Sequence, residues 1–293
     1  MTEGLSRNGR PMIELAAGPW RAALRPETGG AIAALTRDGV PVLRTMAADA
    51  GHPLQSACFP LVPYCNRIAR GRFSHGGHDV EIAPNLPPQR HPLHGLGWLA
   101  QWRVVRHDAS SALLEHAHDG TGEWPWAYVA HQHVALDETG CTVRLIVRNA
   151  ADGPAPMGLG LHPYFRRSPG AIVTFAAEGM IGIDAEFLPD GACHPGDALA
   201  RWSEGAPLPE VLVDHCFAGW SGSATIADAQ GTITVRGFGA PHCHVYAPPG
   251  GEELCIEPIN HTPDALNRKP EEVTVLPSGC AAGIAMRIEA LPA

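Results

Sequence analysis

The sequence has no apolar run approaching the roughly 20 residues that carry a helix across a bilayer. It has no dense block of Lys and Arg and no CxxC pair. The first absence argues against a membrane-spanning helix. The second disfavours nucleic acid as a partner, since 21 Lys and Arg stand against 30 Asp and Glu, a formal charge of −9. The third, with eight irregularly spaced cysteines, argues against a metal ribbon or a disulfide framework. The thiols read instead as small, partly buried apolar residues of a reducing compartment. The opening "MTEGLSRNGRPMIEL" lacks the apolar core of a signal peptide, so a cytoplasmic location is expected. Nucleotide-binding signatures are missing too: no GxGxxG follows a strand, no GxxxxGK[ST] occurs, and no βαβ alternation is visible.

What is abundant is glycine, 33 residues, and proline, 28, spread along a chain of 293 with only 17 % charged residues. That combination suits many short strands joined by turns and opposes long helices. Alternation agrees. In "CTVRLIVRN", Cys141, Val143, Leu145 and Val147 share one face, and Thr142, Arg144 and Arg148 the other. Ile146 falls on the polar side, which predicts partial cover on both faces. "GTITVRG" and "AGIAMRIEA" show the same period of two, the mark of strands with one face on a core. Near the start, Pro26, Gly29–Gly30 and Asp38–Gly39 break a run of strands, and the last pair is a hairpin signal. No linker or short repeat interrupts the chain. The expectation is one all-β domain over residues 1–293, a large and mostly antiparallel β-sandwich.

Four stretches place polar groups in apolar or proline-rich surroundings. "FPLVPYCNRIARGRF" carries Asn66 and Arg67 after two prolines that forbid a helix. The planar donors of Arg beside the donor and acceptor of Asn can grip vicinal hydroxyls, although a turn with a surface arginine has the same look. "HPLHGLGWLAQW" sets His94 beside Gly95 and Gly97, which let a backbone come close to a ligand. Its Trp98 offers an aromatic face of the kind that packs on sugar C–H groups. His94 capping a turn fits equally well. In "PMGLGLHPYF", Pro163 biases His162 to extended geometry, and His162 is either core filler, a metal ligand or a proton carrier. In "EELCIEPINHTPDALN", Glu257 interrupts an apolar strand, where a carboxylate must be paired or raised in pKa. Asp214 in "VLVDHCFAGW" is a weaker case of the same kind, or a turn-forming residue.

A metal reading also has support, because three HxH pairs occur among the 16 histidines: His116/His118, His131/His133 and His242/His244. On a strand such a pair points to one face. A cupin-type site would add a glutamate a few residues on, but Ala247, Pro248 and Pro249 fill that span, so no metal is expected.

Taken in order, "PLVPYCNRIARGRF", "HPLHGLGW", "GLGLHPYF", "VDHCFAGW" and "CIEPINHTPDALN" resemble the aldose 1-epimerase (mutarotase) family. "GGAIAALTRDGVPVL" resembles the family's first strands. The resemblance implies a galactose mutarotase-like supersandwich. It further implies a monosaccharide substrate, no cofactor, and interconversion of the α and β anomers of a free aldose. It assigns Glu257 as the base on the anomeric hydroxyl and His162 as the acid on the ring oxygen. Arg67, His94 and Asp214 then hold and polarise the sugar. Galactose itself is less strongly implied, because the family's Asn-rich segment around the histidine is "GLGLHPYF" here. The cluster Arg67, Arg70 and Arg72 keeps a hexose 6-phosphate open as substrate. A sugar-binding protein without turnover is a further alternative. The chain is expected to be a monomer or a homodimer.

Overall fold

The structure, a computed structural model, describes residues 4–5 and 11–293, and most of the opening stretch read above for a leader lies outside them. Among the described residues, no helix is long and apolar enough to cross a membrane. Two large antiparallel sheets of twelve and nine strands dominate.

The three alternating segments become the centre of the nine-stranded sheet, as strands Gly140–Asn149, Ala281–Leu291 and Gly231–Phe238 lying side by side. Cys141, Val143, Leu145 and Val147 face inward and are fully buried. Ile146 departs from expectation: it is 43 % exposed. The outer face of this sheet has no cover there, and Arg144 and Arg148 beside it are exposed as well.

The first strands form a meander, Pro11–Ala17, Trp20–Arg25, Ala31–Arg37 and Val40–Leu43. Asp38 and Gly39 make the predicted turn with φ of 50° and 78°. Two successive positive φ values match the twist of the strands they join, and glycine supplies the second without a Cβ clash.

Five strands of the twelve-stranded sheet carry the chemistry: β1 (Cys58–Leu61), β2 (Gly160–Arg166), β3 (Val213–Ala218), β4 (His242–Ala247) and β5 (Glu253–Ile259). They lie in the order β2, β5, β4, β3, with β1 paired to the other side of β2. Successive side chains alternate between faces. Leu161, Phe165, Leu254, Ile256, Val245 and Phe217 therefore enter the core between the sheets. Tyr164, Cys255 and Cys216 enter a second, smaller cluster on the opposite face with Phe59 and Trp98. Both faces are covered, so β2 and β5 are buried along nearly their whole length. The sequence there is correspondingly apolar on both sides of the pleat.

Burying a Leu or Val side chain contributes about 1.5–3 kcal/mol. Leu145→Ala, in the fully buried inter-sheet layer, is expected to lower the unfolding free energy by about 2–5 kcal/mol in denaturant titration. Ile146→Thr on the outer face should change it by less than about 0.5 kcal/mol.

Candidate active site

The pairing register builds the site from distant segments. Gly160 pairs with Ile259 and Tyr164 with Cys255, which sets His162 across from Glu257. Glu257 in turn pairs with His244 on β4. Directly opposed side chains on a sheet sit about 4.5–5.5 Å apart at Cβ, so the three form one row on the face turned away from the inter-sheet core. His162 Nε2 lies 3.3 Å from Glu257 Oε1, and their side chains are only 6 % and 2 % exposed.

The imidazole of His162 is held by rings, not by a second hydrogen bond. It stacks against Phe59, at 4.6 Å and 22°, and against Tyr164, at 4.8 Å and 29°. His94 meets it edge-on at 5.2 Å. Among the described residues its Nδ1 has no hydrogen-bond partner. Arg44 lies over Tyr164, with its guanidinium 3.4 Å from the centre of that ring and 3.0 Å from Glu253.

Asp214 and Arg67 stand beside this pair. Asp214 Oδ1 is 2.6 Å from His244 Nε2, and Asp214 Oδ2 is 3.8 Å from Arg67 Nη2. Arg67 also donates to Asn66 Oδ1 at 3.3 Å and to Gln89 Oε1 at 3.3 Å. Asn66 and His94 lock two loops together: the Asn66 N–H donates to His94 Nδ1 at 3.3 Å, and the His94 N–H donates to the Asn66 carbonyl at 2.9 Å. Both residues have positive φ, 55° and 62°, a conformation that costs free energy in non-glycine residues and concentrates where function demands it.

Burial dominates the electrostatics. It pushes the His162 imidazole down to about 3, with His244 and Arg44 adding to the effect. It raises the Glu257 carboxyl well above its usual range, and Asp214 pushes the same way while Arg67 opposes. His94 is held well below its usual value by burial first, with His162, Arg67 and His244 pushing the same way. Burial alone would raise Asp214, but the hydrogen bond from His244 and the nearby positive charges outweigh it and hold that carboxyl down. Both shifts favour the uncharged form of the pair, with the proton on Glu257 and His162 neutral.

The structure brings Asn66, Arg67, His94, His162, Asp214 and Glu257 around one cavity of about 230 Å³. Trp98 does not join them. It is 0 % exposed, donates its indole N–H to the Leu93 carbonyl, and backs Phe59 and His94. Its large face is used to seat the rings that surround His162, which leaves none for a ligand.

The glycines are also differently used. A Cβ on Gly95 would lie 2.2 Å from the Val62 carbonyl oxygen, and one on Gly158 would lie 2.2 Å from His261 Nε2. A Cβ on Gly160 would meet Cys65 Sγ at 2.8 Å. These positions admit protein, not ligand. The HxH pairs do not converge either. His116 reaches Tyr128, His118 reaches the Trp124 carbonyl, His131 reaches Glu115, and only His244 enters the site.

Sequence reasoning passed over His244 as a site residue, along with Tyr164, Phe59 and Gln89. The alternation of "HCHVYA" places His244 and Tyr246 on one face, but not which face looks onto Glu257.

Comparison with known proteins agrees with the geometry. A family model described as aldose 1-epimerase matches residues 11–283. The chain belongs to the aldose 1-epimerase family. It is 31 % identical over 252 residues to the uncharacterized protein YphB of Escherichia coli (strain K12), covering 83 % of this chain and 86 % of that one. A crystal structure of a candidate aldose 1-epimerase from Escherichia coli K12 superposes with a TM-score of 0.89 at 29 % identity, covering 96 % and 99 % of the two chains. A galactose mutarotase-like protein from Clostridium acetobutylicum gives the same TM-score at 19 % identity, over 100 % and 98 %, and establishes the fold alone. The expected galactose mutarotase-like architecture is the observed one, and the family supports an epimerase-type activity on sugars.

Proposed function

We propose that this member of the aldose 1-epimerase family interconverts the α and β anomers of a free aldose, with His162 and Glu257 as its proton carriers. The observation that carries the reading is the buried His162–Glu257 pair, 3.3 Å apart in a monosaccharide-sized cavity. The cavity is at or below the small end of ligand pockets, which run from about 300 to 1,000 Å³.

Opening a cyclic hemiacetal moves two protons. The anomeric O1–H gives its proton to a base, the C1–O5 bond breaks, and the electron pair stays on O5, which takes a proton from an acid. Rotation about C1–C2 followed by the reverse transfers closes the other anomer. A carboxylate and an imidazolium serve the cyclic sugar, with Glu257 as base and His162 as acid. After opening, the same pair is a carboxylic acid and a neutral imidazole, the form that burial favours at rest. One proton shared between two groups thus supports both directions, with burial favouring the uncharged form of the pair.

A neutral sugar fits the lining better than a phosphorylated one. Asp214, Glu253 and Glu257 line the cavity against Arg67, which is already paired with Asp214. Arg70 and Arg72, clustered with Arg67 in sequence, do not line it, and Arg72 pairs with Glu81 on the surface. Polarimetry of freshly dissolved anomers tests the reading directly. Saturable sugar binding without faster anomer exchange would favour a binding protein instead.

Arg67→Ala removes the cation that faces Asp214. It is expected to raise the half-saturating sugar concentration by roughly 10- to 100-fold, the equivalent of about 1.5–3 kcal/mol of charge-assisted hydrogen bonding. Initial-rate polarimetry over a range of sugar concentrations checks this. An unchanged KM would remove Arg67 from sugar binding.

A further inference from the structure

We propose that His162 and Glu257, which line the cavity, form with the fully buried Cys255 beside them a binding site for a soft divalent cation of the zinc class. Among the described residues these three form a group of potential ligands whose donor atoms lie within 4.8 Å of one another. Cys255 stands two residues before Glu257 on β5, so the pleat turns both to the same face, and its register partner Tyr164 stacks on His162.

The distances suit zinc. Bonds of about 2.0–2.2 Å to nitrogen and oxygen give a tetrahedral N···O edge of about 3.3 Å, and His162 Nε2 is 3.3 Å from Glu257 Oε1 without any adjustment. Bringing the Cys255 sulfur to its bond length of about 2.3 Å closes the remaining separation by roughly 1 Å, within reach of a side-chain rotation. The donor set of thiolate, imidazole and carboxylate selects zinc or cadmium over magnesium or calcium, which prefer all-oxygen shells. Cys255 is a free thiol. Its proton, and the proton that burial favours on Glu257, leave to solvent on coordination. Three protein ligands leave the fourth position open toward the cavity.

Bound there, the metal occupies the lone pairs that the sugar's protons need, so it inhibits. The inhibition rests on the acid–base reading above, whereas the binding does not. The test is titration of the full-length protein with zinc against a chromogenic chelator, and with cadmium followed by its thiolate-to-metal charge-transfer absorption. One equivalent of either metal should bind, with the band present. Cys255→Ser should lose the band and weaken zinc binding by more than 10-fold. The cadmium band in the wild type is an arm that needs no variant to fold. A missing band, or a band that persists unchanged in Cys255→Ser, overturns the site. If the band appears but the metal-free protein exchanges no anomers, the site stands and the epimerase reading fails.

Discussion

Glu257→Gln and His162→Phe are each expected to slow anomer exchange by roughly 10²–10⁴-fold, the usual contribution of a positioned proton carrier. The two substitutions are chosen to keep the packing. Burial raises the Glu257 carboxyl, 2 % exposed, well above its usual range and favours the neutral acid, which the neutral amide matches in shape. Phenylalanine at 162 retains the stacking on Phe59 and on Tyr164 and removes both ring nitrogens. Thermal stability should therefore change little while turnover collapses. Saturation-transfer NMR reads the exchange rate, and line broadening of a methyl glycoside, which cannot open, reads binding separately. Rates within threefold of wild type in either variant would place the proton transfers elsewhere. The uncatalysed reaction is already accessible in water, so each measurement is taken above the buffer rate.

The second large effect is on pH dependence, measured with chelator present. An ordinary imidazolium donor has a pKa near 6.5, and activity relying on it would fall about tenfold per pH unit above that value. Here the shared proton resides with the pair over a much wider window. On the acid side a second proton must enter, and His162, lowered to about 3 by burial, resists it until the medium is strongly acidic. On the alkaline side the single proton must leave, and Glu257, raised well above the carboxylate range by burial and by Asp214, holds it. The direction of both shifts widens the plateau. The two limbs belong to the pair and not to either residue. The expected profile is level from about pH 5 through neutrality. A decline of tenfold per unit beginning at pH 6.5 would show instead that an unshifted imidazolium carries the reaction.

Asp214→Asn bears on the same profile. Loss of its charge removes one of the two influences that keep Glu257 protonated, so the alkaline limb should move to lower pH. Comparison of pH–rate curves for the variant and wild type measures the displacement, and superimposable curves would separate Asp214 from the pair.

The fold was largely legible in the chain. Period-two alternation in "CTVRLIVRN" and "AGIAMRIEA" placed central strands of one sheet, and Asp38–Gly39 placed a turn, because both signals depend only on near neighbours. An apolar strand holding one carboxylate pointed to Glu257, since that group cannot sit there unshifted. Pro163 pointed to an extended His162, which the strand Gly160–Arg166 carries.

Other assignments needed contacts between segments far apart in sequence. That Trp98 backs the rings around His162 instead of facing a ligand depends on Phe59, 39 positions earlier. That Gly95 and Gly158 admit protein atoms depends on Val62 and His261. His244 became a site residue only when β4 paired with β5 in one register, because a shift of one residue would turn it into the inter-sheet core. Local sequence therefore determined which residues form strands and which carboxylate and imidazole are out of place. Long-range pairing decided which of them meet, because a strand's own pattern says which residues share a face but not what lies opposite.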